Sequence, residues 1–320
     1  MENKNLHILN TFDIHSLPNL DVVVLGALER FKEETLPEFD PKKISRKPLV
    51  VGSANAYTVG EILFRNSFAR VIEEGEFDSA LEKFTDRDSI VIISASGAKH
   101  AVTIAQKLYE HKIDQSLPVW LLTNNGKAPA KEFIDREQVL LFPKNREPYT
   151  YNTSTYLSMI LSQTKESPEK IYTHLESVRK KLPTNLGRYD AFVFTVPSAF
   201  EEVRGMFRTK FDELFGGHVI GRIFTEEEIK HAKTVVPSDK ELTVHLVSGD
   251  STENSIVDKK RAHIEVPLSK DSSYGEVLAL GYFIIGKIQE AHPAYFKENI
   301  VAYTKDASEI FNQTINPIVE

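Results

Sequence analysis

Residues 88–113, DSIVIISASGAKHAVTIAQKLYEHKI, decide the reading of the fold. Ile90, Val91, Ile92 and Ile93 form a short continuous apolar run, the pattern of a strand covered on both faces in a parallel sheet. Ser94-Ala95-Ser96-Gly97 follows, a turn of small hydroxyl residues with one glycine. From Ala98 the spacing becomes helical, with Val102, Ala105, Leu108 and Tyr109 on one face. The stretch therefore predicts one βα unit. Its turn has two readings. The first amide groups of a helix lack internal partners and its dipole favours negative charge, so this turn suits an oxyanion. Ser94 and Ser96 would add hydroxyls and Lys99 a positive charge. In the plainer reading, Ser94 or Ser96 only caps the helix. The residues alone leave both open.

The pattern repeats outward from this unit. Residues 49–54 (LVVGSA) read as a strand running through Ser53 and Asn55 into a helix containing Val59, Ile62, Leu63 and Phe64. Further strands are expected at 69–74, 119–123 (ending at Thr123) and 138–142, with short helices between them. Strands alternating with helices argue for an α/β fold with a doubly wound, mainly parallel sheet. In such a sheet both Ser-containing turns lie at the C-terminal ends of strands, where ligands bind. Residues 17–36 have helical spacing, and 1–17 read as loosely structured. Thr153 or Ser154 is a natural N-cap for the helix that follows. Residues 182–187 (LPTNLG) are the linker candidate. The second half returns to the same plan. Strands are expected at 191–196, 220–224, 242–247 and 262–266, and helices at 200–215 and 274–291. The strand at 242–247 runs into Ser248-Gly249-Asp250-Ser251, in the place that Ser94–Gly97 holds in the first half, so the chain reads as an internal duplication. Asp250 would repel phosphate there.

At 320 residues the chain suits two domains, with 41% hydrophobic and 27% charged residues, the balance of a globular protein. A net charge of −7 and a pI near 5.9 argue against nucleic-acid or anionic-membrane binding. The absence of cysteine excludes disulfides, thiolate metal sites and cysteine nucleophiles. No basic leader followed by an apolar core opens the chain, and no apolar run approaches the ~20 residues of a membrane span. The expectation is a cytoplasmic protein. No histidine pairing suits a metal, and neither a dinucleotide fingerprint nor a P-loop is present, so no metal and no cofactor are expected.

The strand–Ser94-Ala95-Ser96-Gly97–helix unit, followed by PVWLLTNN at 118–125, resembles the sugar isomerase (SIS) domain. The usual motif of that family is Ser-x-Ser-Gly-x-Thr-x-Glu, and here Lys99 stands in the Thr place and Ala101 in the Glu place. The resemblance implies two tandem SIS domains, at 48–182 and 188–320, after an N-terminal helical segment at 1–47. It implies phosphate or sugar contacts from Ser53, Asn55, Ser94, Ser96, Gly97, Lys99 and Thr123. Glu147 and Ser154-Thr155 stand where the family has an acidic residue and then Ser-Thr opening a long helix that lines the sugar pocket. Lys210-Phe211-Asp212-Glu213 resembles the Lys-x-x-Glu of two-domain members, and 227–232 (EEIKHA) resembles their Gly-Glu-Leu-Lys-His-Gly. By this resemblance Glu213 is the proton-transfer base and His231 opens the sugar ring. The chemistry suits both types, because aldose–ketose isomerisation moves a proton between C1 and C2 through an enediol. The family's tail lysine has no counterpart, since Thr314, Ile315 and Asn316 occupy its neighbourhood. The implied function is a sugar-phosphate isomerase, or an amino-sugar-phosphate isomerase or deaminase. The alternative is a non-catalytic sugar-phosphate sensor. The implied partners are a phosphorylated sugar or amino sugar and a second copy of the chain, as a homodimer.

Overall fold

The computed structural model describes residues 3–110, 117–248 and 261–320. By packing, the chain divides into two compact units. One comprises Thr35–Lys144 and Ser154–Lys165, and the other Met1–Glu34, Asn145–Thr153 and Glu166–Glu320.

In chain order, α1 (Lys4–Thr11) and α2 (Leu20–Glu33) come first, then α3 (Pro41–Ile44), β1 (Pro48–Gly52) and α4 (Asn55–Phe64). Next are β2 (Arg70–Glu73), α5 (Phe77–Lys83), β3 (Ser89–Ile93), α6 (His100–Glu110), β4 (Val119–Thr123) and β5 (Val139–Leu141). These five strands form one sheet in the order β2-β1-β3-β4-β5, every pair parallel. Period-2 alternation sends Leu49, Val51, Ile90, Ile92 and Leu121 to one face, where α5 and α6 bury them with Phe77, Ile104, Ala105 and Leu108. On the other face Gly60 of α4 lies against Val50, Val71 and Ile93. The sheet is thus covered on both sides, as the continuous apolar runs require. Tyr109, placed on the apolar face by spacing, is instead 66% exposed, and Ala101 and Ile104 take the buried positions.

The remaining elements are β6 (Glu147–Pro148), α7 (Thr153–Thr164), α8 (Pro168–Arg179), β7 (Ala191–Val196), α9 (Val203–Phe215), β8 (Ile220–Thr225), α10 (Glu226–Lys230), β9 (Glu241–Val247), β10 (His263–Pro267), α11 (Tyr274–Ala291), α12 (Tyr295–Ile310) and β11 (Ile318–Val319). β10-β9-β7-β8 form a four-stranded, all-parallel sheet. Read from β8, its order is the second, first, third and fourth strand, the same winding as the five-stranded sheet. The doubly wound parallel fold expected from the sequence is what the chain adopts. The Ser248–Ser251 turn, with Asp250, falls mostly outside the described residues.

α11 is the core helix of this second unit. It is apolar nearly all round and buried along almost its whole length. At Gly286 the absence of a side chain lets the backbone of Asp21 in α2 lie directly against it. The units do not follow cuts at 47/48 and 182/188. Residues 1–34 and 166–182 group with the four-stranded sheet because α2 and α8 pack on α11. The N-terminal stretch read as loose holds α1. That helix is fixed by tertiary contacts rather than by its own pattern: Asn5 Nδ2 and the Leu6 amide donate to the buried Glu29 carboxylate of α2 at 2.6 and 2.7 Å. α9 starts at Val203 because residues 198–200 form a separate 3-10 turn.

The N-terminus of α11 is closed from outside the helix. Glu166 accepts the amides of Ser273, Gly275 and Glu276 at 2.7, 2.7 and 3.0 Å. A carboxylate there satisfies donors that have no helical acceptor and opposes the positive end of the dipole. Glu166→Ala is expected to cost about 0.5–2 kcal/mol, the range for loss of a side-chain cap. Urea denaturation at unchanged m-value checks this, and an unchanged midpoint would show that the cap contributes nothing.

Candidate functional site

The turn after β3 is tightly wound. Ser94 Oγ accepts the Gly97 amide at 3.2 Å and Ser96 Oγ the Ala98 amide at 3.3 Å. Both hydroxyls therefore shape the turn. Each retains its own O–H to donate, so the capping role leaves anion binding chemically open. Gly97 has φ 59, and a Cβ there would run into Ala128, so the position requires glycine. Ser96 and Lys99 are exposed and Ser94 half-buried.

The end of β4 clamps this turn from behind. Thr123 Oγ1 donates to Ala95 O at 3.1 Å, the Asn124 amide to the same carbonyl at 3.1 Å, and Asn125 Nδ2 to Ser96 O at 2.9 Å. Thr123 has no exposed surface, so its hydroxyl holds the turn rather than facing solvent. Asn125 was not singled out from the sequence. Its signal is the Asn-Asn-Gly that ends a buried strand. After β1, Ser53 is exposed and Asn55 buried. Two carboxylates approach these turns: Glu73 Oε2 accepts the Ala54 amide at 3.4 Å, and Glu74 lies 3.9 Å from His100 Nε2. Burial holds the Glu74 carboxyl above the ordinary glutamate range, against the pull of His100. In this unit Ser154 and Thr155 at the start of α7 are buried, and Asn124 Nδ2 reaches Thr155 O at 3.4 Å.

The four-stranded unit holds a different constellation. Glu147, 4% exposed, accepts the Thr153 amide at 2.7 Å, so this carboxylate takes the first amide of α7. The Thr153 hydroxyl, a natural cap by its sequence position, is buried and has no hydrogen-bond partner among the described residues. β6 pairs antiparallel with β11, Val319 opposite Glu147, and the Tyr149 amide donates to Pro317 O at 2.8 Å. The C-terminal strand thus pins the segment that carries Glu147. Three residues on, Thr150 has φ 74, an outlier for a β-branched side chain. Its carbonyl accepts Lys210 Nζ at 2.7 Å, and the same ammonium meets Glu213 Oε2 at 2.5 Å.

Lys210 is fully buried on α9. A buried ammonium needs partners of this kind. Glu213 lies one turn further on, at the wall of a cavity of about 540 Å³, together with Thr150, Asp212, His218, Tyr295 and Tyr303. Burial pushes the Glu213 carboxyl above the ordinary glutamate range. The Lys210 charge and hydrogen bond pull it down, and Asp212 adds to the rise. A partly exposed carboxyl with this balance is suited to take and return a proton. His231 is placed differently. It is exposed, follows the five-residue α10, and does not line this cavity. The histidine that does line it is His218. The one cue to it is Gly216-Gly217, which breaks the helix just ahead.

No family model matches the chain, and no curated protein matches it. Solved structures do. Glucosamine-6-phosphate deaminase from Thermotoga maritima superposes with a TM-score of 0.55 at 17% identity, over 82% of this chain and 90% of that one. The C-terminal domain of glucosamine-fructose-6-phosphate aminotransferase from Francisella tularensis gives 0.56 at 11% identity, over 90% and 99%. Tagatose-6-phosphate ketose/aldose isomerase from Escherichia coli gives 0.53 at 15%, over 90% and 91%. At these identities the likeness is one of fold. It bears out the fold expected from the resemblance to SIS proteins.

Carboxyl ¹³C titration of Glu213 is expected to give a midpoint above the ordinary 4.5. In Lys210→Met the midpoint rises further, because the influence that lowers it is gone. A wild-type midpoint at or below 4.5 would remove the physical basis for Glu213 as a poised base.

Proposed function

We propose that this chain binds a phosphorylated sugar or amino sugar and interconverts its aldose and ketose forms by proton transfer through an enediol. The observation that carries the reading is Glu213, a carboxyl with a burial-raised affinity for protons, fixed by Lys210 at the wall of an open cavity. Glu213 is the base that moves the proton between C1 and C2. The phosphate is assigned to the turns after β1 and β3, with Ser53, Ser94, Ser96, Gly97 and Lys99 as donors and Thr123 as their support. The repeated strand order supports two tandem SIS domains, and the homodimer remains part of this reading.

Two placements favour a second reading, a sugar-phosphate sensor without turnover. His231, the residue the resemblance makes the ring opener, is exposed and off the cavity. Ser154 and Thr155 are buried where the resemblance has them lining a pocket. A sensor would keep the phosphate turns and need no base.

Thermal shift against fructose-6-phosphate, glucose-6-phosphate, glucosamine-6-phosphate and inorganic phosphate tests the binding half. Stabilisation by a sugar phosphate, lost in Ser96→Ala, is the expected result, since a ligand that binds only the folded state stabilises it by mass action. Exchange of the C2 proton with deuterated solvent tests the chemistry. Glu213→Gln is expected to lower it by roughly 10²–10⁴-fold, the usual worth of a positioned base. Stabilisation without exchange in the wild type would select the sensor, and no shift with any phosphorylated sugar would end both readings.

A further inference from the structure

We infer that His218 carries protons between the two sugar oxygens in this reaction, with Tyr295 positioning its ring. The inference rests on the isomerase reading above and adds a residue to it.

Local backbone geometry brings His218 to Glu213's cavity. α9 stops at Phe215, and Gly216 turns the chain with φ 55, a conformation that favours glycine. The Gly216 amide returns to Asp212 O at 3.0 Å and the His218 amide to Phe215 O at 3.1 Å, so the chain folds back on the end of its own helix. His218 then lines the same cavity of about 540 Å³ as Glu213, five residues after it. Its imidazole lies face to face on Tyr295, with centroids 4.1 Å apart and planes 3° from parallel. A stack of that kind fixes the plane of the ring. The two nitrogens stay at its edge, and among the described residues neither has a hydrogen-bond partner in the protein.

The chemistry calls for such a group. Removing the C2 proton of an aldose places charge on O1, which must be protonated, and completing the ketose requires a proton to leave O2. Histidine is the side chain type that ordinarily titrates in the neutral range, so it can do both. The other titratable groups on the cavity wall are two carboxyls, Asp212 and Glu213, and two phenols, Tyr295 and Tyr303.

The steps balance as follows. Glu213 takes the C2 proton, the C–H electron pair forms the C1–C2 double bond, and the imidazolium of His218 gives its proton to O1. The product is the cis-enediol, facing a carboxylic acid and a neutral imidazole. The imidazole then takes the O2 proton as the C2 carbonyl forms, and Glu213 returns its proton to C1. Carbon 2 is oxidised, carbon 1 is reduced, and both side chains end as they began.

The test follows isomerisation and C2 exchange together in deuterated solvent. His218→Gln should keep the thermal shift given by the sugar phosphate and lose isomerisation by roughly 10²–10⁴-fold. Its ratio of exchange to isomerisation should rise, because an enediol that cannot release its O2 proton is reprotonated at C2. The pH–rate profile of the same variant should differ from that of the wild type, because one of the two proton-transfer groups is gone. Tyr295→Leu should move the rate and the ratio in the same direction by less. If His218→Gln keeps the wild-type rate, ratio and pH profile while Glu213→Gln loses turnover, the isomerase reading survives and this inference falls. Loss confined to His231→Gln would also overturn it. A wild type that exchanges no sugar phosphate would overturn both.

Discussion

A buried ammonium sets the terms for the four-stranded unit. Lys210 has no exposed surface, and an unpaired charge in that position would be strongly destabilising. Its two acceptors are the Glu213 carboxylate, one helical turn away, and the Thr150 carbonyl, sixty residues away in sequence. The local pair is set by helix geometry. The distant one forces the 145–153 segment to aim a carbonyl inward, and Thr150 does so with a left-handed backbone. The contacts that hold this segment are then consequences of the same demand. Glu147 takes the Thr153 amide, β11 pairs along β6, and Arg146 donates to Phe12 O at 2.6 Å and pairs with Glu320.

The two sheets share a winding order and use it differently. In the five-stranded sheet the first and third strands are neighbours, so the turns after β1 and β3 lie side by side at the strand ends, the usual crevice of an open α/β sheet. Small residues fill both turns, and their hydroxyls remain partly available. In the four-stranded sheet the corresponding strands are β7 and β9, and Thr195 and His245 sit opposite each other in register near their ends. Both are buried, and the Thr195 hydroxyl is bonded to His245 Nδ1. Burial lowers the proton affinity of that imidazole. The same topology thus places partly exposed seryl turns in one sheet and an internal hydroxyl–imidazole contact in the other.

What the sequence made legible was what period and local chemistry encode. The strands at 49–52, 89–93, 119–123 and 191–196 are continuous apolar runs, and α11 is an unbroken apolar helix, so their identity follows from their own residues. The seryl turn after β3 was visible for the same reason. The long-range partnerships were not. Nothing local marks Glu166 as the cap of α11, Glu29 as the anchor of α1, or Thr150 as the acceptor for Lys210. Each depends on where a second element lies in space. No pairing in the sequence marks His218, and only the fold shows it stacked on Tyr295. The flanking residues of His231 resemble a motif, yet its setting is the exposed end of a short helix.

Backbone strain marks several of the same places, while Lys165, Ala232 and Asn312 carry it just beyond helix ends. Seven non-glycine residues among those described have a left-handed φ. Ala54 and Lys99 immediately precede α4 and α6, Asn152 immediately precedes α7, and Thr150 lies two residues before that. These are the three helix entries that the sequence singled out on other grounds. Asparagine tolerates this region, but alanine, lysine and threonine do not favour it, and each such residue costs on the order of 1–3 kcal/mol. A turn built only to join a strand to a helix has no need of that cost, because a glycine or asparagine would remove it. At Thr150 the carbonyl has a task of its own, as the acceptor for Lys210. At the entrance to α7 the strain is therefore the consequence of holding that carbonyl against a buried ammonium, while Glu147 takes the first amide of the helix.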